Sequence, residues 1–150
     1  MKSFRFHLQK VLDLKEKETE QAQWAFGKSV QRKVEEENRL YELAEHREKI
    51  TESMVQVQAQ PISAAQLLEL NRYRLAVDRQ IHSQKITLVG CEQEVERCQT
   101  KLHSHMQESQ LWQKLKDKAQ ETFEENQKSR EQKELDEIGI TRYWRKENRG

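Results

Sequence analysis

Two stretches carry residue types that could do chemistry. Ala22-Gln23-Trp24-Ala25-Phe26-Gly27-Lys28-Ser29 fits a relaxed phosphate-loop pattern, with alanine where the first glycine belongs. Such a loop works through backbone N–H groups left free at a strand-to-helix turn. The surrounding periodicity is helical, so those groups are expected to be bonded within the helix, and no nucleotide site is predicted. The second group is Cys98, His103 and His105, all metal-ligating types. On a helix His103 points away from the other two, and no C-x-x-C or H-x-x-x-H spacing occurs. Single seam or surface side chains are expected, with no metal and no cofactor. Carboxylates are abundant, but acid–base catalysis needs a pair held in a cleft. A narrow helical protein offers no cleft, so no catalytic residue and no enzyme is predicted.

The elements that position these residues follow from composition. Charged residues make up 35% of the 150, AVILMFWYC only 34%, and mean hydropathy is −1.11. That is too little apolar surface for a layered core and enough for a narrow seam between two helices. With 27 basic and 26 acidic residues interspersed, net charge is +1. No basic field of the kind that drives nonspecific nucleic-acid binding is present. The longest uncharged run, Ser53 to Leu68, holds a proline and several glutamines and is too short to span a bilayer. Charges close behind Met1-Lys2-Ser3-Phe4-Arg5 leave no signal-peptide pattern. Cys91 and Cys98 lie roughly 10 Å apart along a helix axis and cannot pair with each other. A reduced, cytosolic chain is the simplest reading.

Pro61, the sole proline, punctuates the chain. A proline lacks the backbone N–H and clashes with the preceding turn, so a first helix, from about residue 3 to 58, should stop just ahead of it. After a turn at about 59–63, Ser63 and Gln66 form a capping box, and Ile62 and Leu67 occupy staple positions. A short turn between two long helices predicts an antiparallel pair. The fold class expected is all-α, one long two-helix antiparallel coiled-coil hairpin over residues 1–150, its second helix longer and overhanging.

In the first helix, Phe4, Leu8, Val11, Ala22, Phe26, Val30, Val34, Tyr41, Ala44 and Met54 mark an apolar stripe, with Leu12, Leu40, Leu43 and Ile50 beside it. The stripe drifts from a strict heptad toward longer periods. Lys15, Glu18 and Thr19 interrupt it, which makes that segment the expected weak point. Gly27 suggests close approach of the partner helix. The second helix, about 64–138, has a cleaner register. Steps of three and four give Leu67, Leu70, Arg74, Val77, Ile81, Gln84, Leu88, Cys91, Val95, Cys98, Leu102, His105, Ser109, Trp112, Lys116, Ala119 and Phe123, most of them apolar. The predicted seam includes Leu67, Leu70, Ile81, Leu88, Val95, Leu102 and Trp112. If both helices start at the turn, Phe4 lies near Lys116 and Ala119. From about Lys118 the second helix then has no partner in its own chain. Gly139 is a candidate C-cap, followed by a basic, aromatic tail over 139–150. That tail could touch lipid or nucleic acid, and a solvated, frayed end is the simpler reading.

Phe4-Arg5-Phe6-His7-Leu8-Gln9-Lys10-Val11-Leu12-Asp13-Leu14-Lys15-Glu16 resembles the opening of the flagellar export protein family FliJ. Gln132-Lys133-Glu134-Leu135-Asp136-Glu137-Ile138-Gly139, followed by Arg142-Tyr143, is similar to that family's ending. The turn near residue 62 and Leu111-Trp112-Gln113-Lys114-Leu115 fall at matching places, so the resemblance covers the whole chain. It implies a two-stranded antiparallel coiled coil shaped like the central stalk of rotary ATPases. It further implies a cytoplasmic protein, peripheral at the inner face of the cell membrane at the flagellar base. The partners implied are the flagellar export ATPase ring, the cytoplasmic domain of the export gate, and export chaperones, with no nucleic acid and no transmembrane segment. Carried over by position, a gate-contacting face would include Tyr73, Val77, Gln80 and Gln84. The two glutamines depart from the family pattern, and for Val77 and Gln84 seam packing is the stronger reading. The free end of the second helix, with Phe123, Leu135 and Ile138, and the N-terminal Phe4, Phe6 and Leu8 are expected to engage the ATPase. The alternative is a generic structural coiled coil that dimerises or binds other helical partners.

Overall fold

The computed structural model describes residues 3–59, 61 and 64–149. It contains two helices packed against each other, α1 (Gln9–Gln58) and the longer α2 (Ala64–Arg149). No strand occurs among the described residues. α1 stops ahead of Pro61, as the missing proline N–H dictates. Ala59 N closes a last turn onto Gln56 O at 3.3 Å. The proposed cap at Ser63 and the staple at Ile62 lie outside the described residues.

Both outer boundaries differ from those expected. α1 begins at Gln9, not near Ser3. Gln9 N bonds Phe6 O at 3.1 Å and Leu12 N bonds Leu8 O at 3.1 Å, which opens the helix. On a helix, Phe4 and Phe6 would face nearly opposite ways. A non-helical lead-in lets Phe6 be buried and Phe4 half-buried. At the other end α2 does not stop at 138 but continues through Arg149. Gly139 has no positive φ and caps nothing. The helix runs past this one glycine at a cost of about 1 kcal/mol relative to alanine.

Contacts divide the chain into two compact units. One is Glu20–Ser104; the other joins Met1–Thr19 with His105–Gly150. Each is built from a piece of α1 and a piece of α2. Within the first, Val77, Gln84, Cys91 and Cys98 are buried from α2, and Ala22, Ser29 and Ile50 from α1. Within the second, Phe6 and Leu12 are buried, and Leu12 is the most enclosed large side chain at 1% exposure.

The α2 register holds throughout. Every position of the predicted series from Leu67 to Phe123 is buried or half-buried. The α1 stripe needs correction. Val30, Val34, Tyr41 and Ala44 are exposed, Tyr41 by 70%. The other expected positions are covered, and Lys15, Thr19, Ser29, Lys33, Glu36 and Val57 join them in the series Leu8, Leu12, Lys15, Thr19, Ala22, Phe26, Ser29, Lys33, Glu36, Leu40, Leu43, Ile50, Met54 and Val57. Their steps alternate between three and four, with one position, Arg47, left exposed in the series. A helix paired with a strict heptad must present one itself, whatever residues stand there. Gly27 is also reassigned: a Cβ there would meet nothing within 4 Å, so it allows no close helix approach.

Candidate interaction surfaces

The phosphate-loop look-alike is used up by the fold. It lies wholly within α1, and Ala22 and Ser29 are buried. The Ser29 hydroxyl donates to Phe26 O at 2.6 Å. The Lys28 ammonium lies 4.1 Å from the centroid of the Trp24 ring, a cation–π contact on the exposed side. Nothing is left to cradle a phosphate. Cys91 and Cys98 are free and buried, and the Cys98 thiol points to Glu94 Oε1 at 3.6 Å.

The polar interruption predicted at Lys15–Thr19 is filled by a cluster within one unit. Lys15 Nζ lies 3.1 Å from Glu108 and 3.6 Å from Glu18. His105 Nδ1 lies 3.7 Å from the same Glu18 carboxylate. The Thr19 hydroxyl is within reach of Lys15 O at 2.8 Å and His105 O at 3.2 Å, and its one proton serves one of them at a time. The hydrogen bond to Glu108, then the charges of Glu108 and Glu18, hold Lys15 above its ordinary pKa of 10.5. Glu18, His105 and Glu108 bring their ligand-type atoms within 4.8 Å of one another. The Lys15 ammonium already supplies the positive charge these carboxylates draw in. Of the three metal-ligating types singled out in the sequence, only His105 belongs to this cluster; Cys98 and His103 do not.

In the other unit polar and aromatic side chains tie the two helices, among them Gln84 at its expected seam position. Gln84 Nε2 donates to Glu36 O at 3.1 Å and to the Glu36 carboxylate. Arg47 pairs with Asp78. Tyr73 and His46 meet edge to face with centroids 5.5 Å apart, their OH and Nε2 at 2.8 Å. The four positions carried over for a gate-contacting face therefore separate. Val77 is 3% and Gln84 8% exposed, both in the seam, while Tyr73 and Gln80 are exposed. A partner could reach only the latter two without opening the helix pair.

The positions expected to meet an ATPase separate likewise. Phe4 is half-buried and stacks obliquely on Phe123, centroids 5.6 Å apart. Phe6 is buried and Leu8 half-buried. Phe4 thus shares a groove with Ala119, as expected, and reaches on past Lys116 to Phe123, because a non-helical lead-in advances further per residue than a helix. Cover on α2 extends through Phe123 to Gln127, further than the expected limit at Lys118. From Lys128 to Arg149 every residue is exposed. Leu135, Ile138, Ile140, Tyr143 and Trp144 are at least half exposed there, Leu135 by 62%. No helix among the described residues is long and apolar enough to cross a membrane.

The family model described as Flagellar FliJ protein matches residues 4–148. The chain belongs to the FliJ family. FliJ membership places it among the components of flagellar type III protein export. A solved structure from Chlamydia trachomatis, titled as a YscO homolog, is similar in fold to this FliJ chain. The TM-score is 0.72 at 19% identity, over 99% of this chain and 100% of that one. No curated protein matches it.

Proposed function

We propose that this FliJ-family chain is a non-enzymatic, stalk-like component of the flagellar export apparatus. In this reading it binds the export ATPase ring, the cytoplasmic domain of the export gate and export chaperones, and assists export of flagellar proteins. Its place is cytoplasmic, at the inner face of the membrane beneath the flagellum. The observation that supports the ATPase contact is the uncovered end of α2. Helices draw most of their stability from packing, yet residues 128–149 keep five large apolar side chains with no α1 residue to cover them. An unpaired helical end with apolar anchors suits insertion into a groove or ring. The N-terminal Phe4, Phe6 and Leu8 serve this contact indirectly, by fixing the base from which the free segment leaves. For the gate, Tyr73 and Gln80 remain accessible on early α2, and His46 holds the Tyr73 ring in place.

The test is a pulldown against the purified export ATPase and the gate's cytoplasmic domain. Truncation after Gln127 keeps every covered residue, so the helix pair should survive. We expect it to lose ATPase binding and keep gate binding, while Tyr73→Ala does the reverse. Unchanged ATPase capture by the truncated chain would refute the assignment of residues 128–149.

A further inference from the structure

α2 carries a second heptad series on the side away from its seam. Leu68, Arg72, Leu75, Arg79, His82, Ile86 and Val89 follow one another at alternating steps of four and three, and all are exposed. The four aliphatic members are 52%, 44%, 62% and 51% exposed in chain order. The series spans roughly 30 Å of helix within one unit. It contains no Asp or Glu. Arg72 and Arg79 form no ion pair among the described residues, although other charges nearby do. One flank runs Glu69, Ala76, Ser83, Gly90, so after its first member it is small. A Cβ added at Gly90 would meet nothing within 4 Å. The other flank holds Asn71, Asp78 and Lys85, and Asp78 is already engaged by Arg47.

A solvated helix back is expected to be polar. This one sets two arginines among four aliphatic residues at the spacing a third helix reads, beside a shallow small-residue flank. We infer that this outward face of α2, from Leu68 to Val89, docks an acidic amphipathic helix of another protein. Its leucine-type residues would pack on Leu68, Leu75, Ile86 and Val89, and its carboxylates would pair with Arg72 and Arg79. Charge complementarity decides the occupant. Uncompensated arginines within an apolar stripe favour a carboxylate-bearing helix and disfavour a basic one. The face is distinct from the exposed Tyr73 and Gln80 and from residues 128–149, so it stands or falls separately from the ATPase and gate contacts.

The probe is a fluorescently labelled synthetic helix of about 25 residues, leucine at its a and d positions and glutamate at e and g. A control peptide carries lysine for every glutamate. Fluorescence anisotropy with the full chain should show the glutamate peptide binding at least about tenfold tighter than the lysine peptide. The double variant Arg72→Glu/Arg79→Glu should invert that order while circular dichroism shows its helix content unchanged. Leu75→Ala/Ile86→Ala should weaken the glutamate peptide without creating affinity for the other. Equal binding of both peptides, or a preference unchanged by the double variant, would overturn the proposal. So would sedimentation showing that a second copy of the chain occupies this face and that Leu75→Glu releases it.

Discussion

At the residue scale, two kinds of polar group in the seam behave differently. Lys15 sits between Glu108 and Glu18, which raises its pKa above 10.5. A lysine whose folded pKa is raised stabilises the fold fully below its unfolded value, and that contribution disappears as pH rises through the folded value. The stability difference between the native chain and Lys15→Met should therefore be constant near neutrality and shrink above pH 10.5. Thermal unfolding of both proteins at pH 8 and at about pH 11.5, followed by circular dichroism, checks this. Arg74 is the opposite case. It occupies a seam position half-buried, and its Nε has no hydrogen-bond partner, although Nη2 reaches Asn71 Oδ1 at 3.0 Å. Replacing it with leucine, Arg74→Leu, should raise stability by about 1 kcal/mol in urea unfolding, since a polar seam residue costs stability. Leu12→Ala should lower it by about 2–5 kcal/mol, because that side chain is fully enclosed.

At the element scale, the two helices were not equally legible. α2 announced its seam because its heptad positions are mostly apolar from Leu67 to Phe123, and each of them is covered. α1 hid its seam. Val30 and Val34 attracted the stripe, while the covered positions beside them are Ser29 and Lys33, with Glu36 next in the same series. Periodicity in hydrophobicity cannot find a seam position filled by a carboxylate, and Glu36 works there only because Gln84 comes across from α2. The partner helix's register was the signal that could have found it. Helix ends failed for related reasons. The start of α1 depends on where two phenylalanines can both pack, which is tertiary information. The continuation of α2 past Gly139 depends on a small propensity penalty that neighbouring residues outweigh. Of the candidate contact residues, the sequence correctly marked Leu135 and Ile138 as apolar groups without intrachain cover. The α2 register also set Val77 and Gln84 in the seam and left Tyr73 and Gln80 outside it, and their burial divides the same way.

At the scale of the whole molecule, near-equal numbers of basic and acidic residues leave no long-range field to guide partners. Recognition must then come from local patches, and each lies on its own surface. A consequence is that partners should be separable by mutation. Arg72→Glu/Arg79→Glu is expected to leave ATPase capture in the pulldown within about twofold of the native chain, and truncation after Gln127 is expected to leave the glutamate-peptide affinity equally intact. Competition between that peptide and the ATPase for one chain would show that the surfaces overlap.

The stretch from Lys128 to Arg149 has a further consequence. Every residue in it is exposed, so local fraying costs far less than unfolding the paired helices. Trypsin should therefore cut within this stretch first, from Lys146, Arg145 and Arg142 back to Lys133, Arg130 and Lys128, leaving a resistant fragment that ends near Gln127. A bound partner would shield those peptide bonds. The lag before the fragment accumulates then becomes a direct gauge of how long the segment stays gripped, readable on a gel without labelling either protein.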